Sequence, residues 1–378
     1  MIILSHSKLI IMANGYCPAL LRTIESIAGE NAPSRKLHVA GFLAMTFCCQ
    51  NSSVSPINDG FENGQQRTLT VSYTQRPILS QVQDEDDCDI NNLPTKSEWD
   101  LGQIRHKQYS FFVSDDTISR YCAEYAQSVS VGAPATRVMR EHYDRILEGA
   151  NIVLRAINQD LVTLSATEFG NNVTTGNAAA KTINIAPTPT MDLDAGIVQM
   201  LQDFQENEVC GDPCIVGGGL FSGFNIAQQM ACCSQAGLDF SRLGLPRFFF
   251  DKDTQSIWGA NQIGAFAPGS VKFISRNKYV GPYAGEKGNS MFFTMALPVA
   301  EFGCAPDCLN DLVFDVQMKY IDCPTSISVN GTAQTVNRGW QFIISKDYSL
   351  WVQPTDAYRV TDPLGGTNGA LRYVITNA

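Results

Sequence analysis

The 378-residue chain is short of charge. Charged residues make up 17% of it, against roughly a quarter in an ordinary soluble domain. Asn, Gln, Ser, Thr and Gly fill the gap. The charge that exists leans acidic, with 37 Asp and Glu against 27 Lys and Arg and a net charge of -10. A dedicated nucleic-acid reader is usually basic, so that class is disfavoured. Histidine is scarcer still: His6, His38, His106 and His142 are the full set. That limits His-based catalysis and multi-His metal sites. No run of about 18 apolar residues occurs, so no helical membrane span is expected. The 12 cysteines fall far below the density of a disulfide scaffold. Spread along the chain, with two adjacent pairs, most read as small buried hydrophobes in a reducing cell.

What is present is enough for a core. Hydrophobic residues make up 44% and aromatics 10%, which excludes wholesale disorder. The length exceeds one typical core and predicts two or three packed subdomains. The most apolar segment, Leu37–Cys49, follows Arg35-Lys36 and looks like a leader's hydrophobic region. It starts too far from Met1 for that role, so it is expected to be an internal buried segment. Residues 1–11 look like an upstream extension, with Met12 as an alternative start.

Along the chain, residues 1–66 lack a clear repeat and read as an extended arm, with a helical hint at Pro18–Ile27. Arg67–Pro77 alternates Leu69, Val71 and Tyr73 with polar residues, the mark of a strand with one apolar face. Residues 81–100 are acidic and turn-rich, and Ile104–Asp116 reads as a second strand. The two strands are expected to form a long two-stranded arm with an acidic tip. The strongest helix runs from Pro134 to about Ala166. Its apolar residues fall in three- and four-residue steps from Val138 to Leu164. Further helices are predicted at Asp192–Phe204 and Asn225–Gln235. Strands are predicted at Ile215–Gly219, Phe248–Phe250, Ser270–Ile274, Leu312–Tyr320, Gly339–Ile344, Ser349–Gln353 and Ala370–Ile375.

Motifs for chemistry are few. Cys210 and Cys214, and Cys304 and Cys308, each enclose three residues including Asp and Pro. Two such pairs could hold zinc or form disulfides, although neither has the common two-residue spacing. Unlinked cysteines are the commoner outcome. Gly217-Gly218-Gly219 lacks the Lys-Ser/Thr of a phosphate loop and reads as a tight turn. Glu141-His142 lacks a second His one turn on, so the metalloprotease helix motif is absent. Cys88 or Cys122 with His106 could pair as nucleophile and base, but nothing local supports it. No catalytic residue and no cofactor is assigned. A chain of this length with few charges and no evident active site suits a surface spent on neighbours.

The order of arm, two-stranded extension, long helix, α/β region and terminal strands resembles the major capsid protein of tailed bacteriophages. That is the fold of the Hong Kong phage capsid, shared with encapsulins. Ala265–Ile274, a turn leading into a strand, and the strand pattern of Leu312–Tyr358 are similar to stretches of that family. The resemblance implies an α+β fold in five parts. These are an N-terminal arm at 1–66, an extended loop at 67–116 and a peripheral domain at 117–184 with a spine helix at 134–166. An axial domain follows at 185–305, then C-terminal strands at 306–378 that complete the peripheral sheet. It implies a structural, non-enzymatic role: self-assembly into hexamers and pentamers of an icosahedral head around double-stranded DNA. The partners implied are further copies, a portal, head accessory or decoration proteins, and DNA held without sequence reading. The implied location is the virion, assembled in the host cytoplasm. Contacts between copies would then pair the acidic tip, Asp84, Glu85, Asp86 and Asp87, with basic residues. Arg137, Arg140, Arg145 and Arg155 on the long helix are candidates, as are Lys272, Arg276 and Lys278. An encapsulin-like compartment, another virion part (tail or head decoration) and a cysteine- or zinc-dependent enzyme are the competing readings.

Overall fold

The computed structural model describes residues 36–39, 41–48, 55–56, 68–74, 96–120, 123, 137–169, 181–184, 195–206, 211, 213–219, 247–259, 261–299, 311–322, 325–353 and 368–376. They divide into two units. The first comprises residues 1–39, 105–157 and 275–348, and the second 40–104, 158–274 and 349–378. In chain order the elements are helix α1 (Gly41–Cys48) and strands β1 (Ser55–Pro56), β2 (Thr68–Thr74), β3 (Lys96–Gln103) and β4 (Arg105–Ser114). The long helix α2 (Arg137–Ser165), β5 (Lys181–Asn184), α3 (Ala195–Glu206), β6 (Cys214–Gly217) and β7 (Arg247–Phe250) follow. Next come α4 (Asp253–Ile257), β8 (Gln262–Phe266), β9 (Val271–Arg276), β10 (Gly285–Lys287), β11 (Ser290–Pro298) and β12 (Asp311–Ile321). The last four are β13 (Thr325–Val329), β14 (Thr332–Val336), β15 (Gly339–Val352) and β16 (Ala370–Thr376).

β10, β11, β12, β15 and β4 follow one another in an antiparallel sheet of six strands, with β9 also on β15. Apolar faces meet inside it. The Phe111 and Phe342 rings stack at 5.1 Å between centroids, and Phe314, Met318 and Ile344 are fully buried. Helix α2 has 29 residues, about 44 Å at 1.5 Å per residue. Its stripe Tyr143, Ile146, Leu147, Ala150, Val153 and Leu154 is buried, as the three-and-four spacing predicts. Gly149 lets the helix approach β4 closely. A Cβ there would lie 2.7 Å from Cδ1 of Tyr109. The β13–β14 turn uses Asn330 and Gly331 at positive φ, the preference of a tight two-residue hairpin turn. That turn braces strand β4: Ser110 N donates to Asn330 Oδ1 at 2.8 Å, and Asn330 N to Ser110 Oγ at 3.3 Å.

In the second unit the strand order is β5-β16-β8-β6-β7. β16 is parallel to β5 and antiparallel to β8, and β6 is parallel to β7. Phe42, Phe169, Trp258 and Phe266 form an aromatic cluster with centroids 5.2–6.3 Å apart, most of the pairs near edge-to-face, the favoured geometry. Trp258 Nε1 donates to Val162 O at 2.9 Å, so the indole is buried with its polar edge matched. Within the leader-like run, Gly41 to Thr46 of α1 are all buried, as expected. Buried helix ends need partners for their first N–H groups, and distant residues supply them. Phe42 N donates to Asp251 Oδ2 at 2.8 Å and Leu43 N to Asn158 Oδ1 at 2.9 Å. Asn158 Nδ2 in turn donates to Asp251 Oδ2 at 2.8 Å. Burial raises the Asp251 carboxyl above the ordinary range, against these hydrogen bonds. Gly41 sits at φ 64°, and a Cβ there would strike the Asp251 carboxylate.

Three sequence expectations are corrected. The partner of β2 is not Ile104–Asp116. It is β3, with Val71 opposite Trp99, while β4 pairs with β15 from Arg105–Tyr348 to Ser114–Gly339. The polar sequence KSEWDLGQ of β3 carries no alternation to announce a strand. Gly339–Ile344 and Ser349–Gln353 are one strand of 14 residues, because the polar triplet Ser345-Lys346-Asp347 between them is buried rather than turned out. The terminal strands also do not share one sheet. β12 and β15 belong to the six-stranded sheet and β16 to the five-stranded one, where Leu371 and Tyr373 are fully buried. The helical hints at Pro18–Ile27 and Asn225–Gln235 lie outside the described residues, as does the acidic tip.

Candidate functional site

The first unit buries a group of charges that the sequence does not announce. Asp315 on β12 is 0% exposed, and Lys346 and Asp347 on β15 are 2% and 3% exposed. They hold the root of the loop that follows β9. Lys278 N donates to both Asp315 oxygens at 2.9 Å, and Tyr279 N to Oδ1 at 3.1 Å. Lys346 Nζ donates to Asn277 Oδ1 at 3.0 Å and to Val313 O at 2.7 Å. Lys278 Nζ lies 2.8 Å and Arg276 3.4 Å from the Asp347 carboxylate. His106, on β4 opposite Asp347, places Nδ1 2.7 Å from Asp347 Oδ1 and Nε2 3.2 Å from Gln108 Oε1.

Burial and charge pull these groups in different directions. Burial raises the Asp315 carboxyl, opposed by the Lys278 and Tyr279 amides and the two lysine charges. Burial also acts on Asp347, but hydrogen bonds from His106 and Lys278 outweigh it and bring the carboxyl below its ordinary value. Burial drives the Lys346 ammonium down to about 8, against the attraction of Asp315 and Asp347. A buried charge stripped of its partners costs several kcal/mol. The whole cluster therefore behaves as a lock on residues 276–279.

Beyond that lock the chain turns outward. Val280 is 55% and Tyr283 44% exposed, and Gly281–Tyr283 form a single 3-10 turn. Lys287 Nζ lies 5.6 Å from the centre of the Tyr283 ring. In the same unit a cavity of about 410 Å³ is lined by Asp115, Ile118, Ser119, Asn289, Tyr320, Asp322 and Arg338. Tyr320 Oη donates to Asp115 Oδ2 at 2.9 Å, and Arg338 Nε lies 3.9 Å from the same oxygen.

The sequence-predicted contact residues are distributed as follows. Asp84, Glu85, Asp86 and Asp87 lie outside the described residues. Arg137, Arg140, Arg145 and Arg155 are on α2, and Arg145 and Arg155 are exposed. Lys272 is half-buried on β9. Arg276 and Lys278 are engaged within the chain, on Asp347. Among the metal candidates, Cys210, Cys304 and Cys308 lie outside the described residues. Cys214, on β6, is disulfide-bonded, as is Cys48. These two are oxidised where most of the cysteines are expected reduced, and an oxidised sulfur offers no thiolate to zinc. Among the described residues no group of three or more His, Cys, Asp or Glu is placed to hold a metal. No helix there is long and apolar enough to cross a membrane. Asp315 and Lys346 carry little signal in the sequence. The available signal was a Lys-Asp pair inside a long apolar stretch.

No family model and no curated protein matches the chain. Solved structures do. The chain is similar to a structure of Mycobacterium phage Adephagia at 11% identity, covering 82% of this chain and 85% of that one with a TM-score of 0.39. It is similar to the capsid structure of cyanophage P-SCSP1u at 10% identity, covering 82% and 84%, TM-score 0.35. A virus-like particle from Pyrococcus furiosus is similar at 8% identity, covering 94% and 96%, TM-score 0.30.

Proposed function

We propose that the chain is a structural protein that assembles with copies of itself into a closed shell, as a phage major capsid protein does. The observation that carries the reading is the order and kind of its elements. A β2–β3 hairpin precedes a 29-residue amphipathic helix. A five-stranded mixed sheet and long antiparallel strands follow, as the sequence resemblance implies.

The finer reading is a head of hexamers and pentamers around double-stranded DNA, joined by a portal and accessory proteins and assembled in the host cytoplasm. In it the long helix is the spine of a peripheral domain and the five-stranded sheet belongs to an axial one. The net charge of -10 fits a shell that encloses DNA without gripping it. Light scattering on the concentrated full chain tests the reading. A particle mass many times the 41.3 kDa of one chain supports it, and a monomer at every concentration overturns it.

A further inference from the structure

The loop after β9 has an expensive root and an open tip. Its root residues, Asn277, Lys278 and Tyr279, are held by Lys346 and Asp315, and burying charge is unfavourable unless it is well matched. The tip turns at three glycines. Gly281, Gly285 and Gly288 have positive φ, and a Cβ at any of them would find no atom within 4 Å. The glycines are there to turn the chain, not to make room for a neighbour. A rigid root under an exposed tip is the construction of a preorganised contact element. The tip presents an aliphatic, an aromatic and a cation together: Val280, Tyr283 and Lys287, with the ammonium over the tyrosine ring. Glu286, next to Lys287 on β10, points to the opposite side of the strand, as successive strand residues do.

The cavity has the complementary chemistry. Asp115 and Asp322 contribute two carboxylates against the single guanidinium of Arg338, which is 66% exposed. Tyr320 adds an aromatic wall, packed on Trp340 at 5.0 Å. We propose that the tip formed by Val280, Tyr283 and Lys287 docks into the Asp115–Asp322 cavity of a second copy of this chain. Its occupant is a copy because the two surfaces match in charge and lie side by side on one unit: Asn289, two residues past Lys287, lines the cavity. A knob and a hole on one subunit make a head-to-tail contact, which gives a ring where the rotation closes and a filament where it does not. Aromatic residues are enriched at such contacts.

The inference rests on the reading of the chain as self-assembling, and its test separates the two. Isotope-labelled and unlabelled full chains are mixed, concentrated and treated with a zero-length carbodiimide, and cross-linked peptides are sorted by mass. The expected product joins Lys287 to Asp115 or Asp322 in mixed-isotope pairs. Lys287→Glu and Asp322→Lys should each abolish assembly across this contact, and the double charge swap should restore it. A link found only within one isotope, or no link, overturns the inference. So do single variants that assemble like the parent. If closed particles form without the link, the docking fails and the shell reading stands. If the link forms without closed particles, the docking stands and the shell reading fails.

Discussion

The Lys346 ammonium donates to Asn277 Oδ1 at 3.0 Å from a side chain that is almost wholly buried. Burial moves the group from its ordinary 10.5 to about 8, against the attraction of Asp315 and Asp347. Below pH 8 the folded and unfolded chains both hold this proton. Between about 8 and 10.5 the folded chain has released it and the unfolded chain has not. The unfolded state then binds more protons, so stability rises with pH across that window. The gain is on the order of 3 kcal/mol from this residue. Urea unfolding from pH 7.5 to 10.5 should show the rise in the parent and lose it in Lys346→Met. An identical pH profile in both chains would show that Lys346 is not the buried charge described.

Asp315 fixes the root of the exposed tip through two backbone amides. Asp315→Ala removes their acceptor and leaves Lys346 with one fewer balancing charge. A loss of roughly 3–5 kcal/mol in unfolding free energy is expected. Hydrogen exchange should quicken at Lys278 and Tyr279. Exchange unchanged at those two amides would contradict the lock.

Helix α1 depends on Asp251 and on the lack of a side chain at Gly41. Gly41→Ala places a residue at φ 64° and drives its Cβ into the Asp251 carboxylate. The strain alone is worth about 1–3 kcal/mol. The chain should unfold at lower denaturant, with Phe42 and Leu43 amides exchanging faster. A variant as stable as the parent would mean that Asp251 does not cap the helix.

The acidic run at Asp84–Asp87 is proposed as a contact between copies, not a part of the fold. Reversing Asp86 and Asp87 to lysine should leave the unfolding midpoint nearly unchanged, as surface changes do. Particle yield should fall. Shells formed normally from that variant would remove the acidic tip from the account.

Much of the architecture was legible because periodicity reports burial. Apolar spacing places the long helix, β12 and β16 within a few residues of their observed ends. The burial of Gly41–Thr46 follows from the composition of the run they belong to. Pairing was less legible. Nothing in Arg105–Ser114 says that it pairs with a strand more than 220 residues later, because register is set by tertiary contacts. The lock is hidden in the sequence for the converse reason. Lys346 and Asp347 look like surface residues in a turn, and only the fold brings Asp315, His106 and Lys278 around them. A buried charge is invisible to a rule that places charges outside.

Electron microscopy of the purified full chain, concentrated under native conditions, tests the central claim most directly. The account predicts closed shells of uniform diameter whose surface resolves into rings of repeated subunits. Monomers, or open tubes and sheets in place of shells, would contradict it.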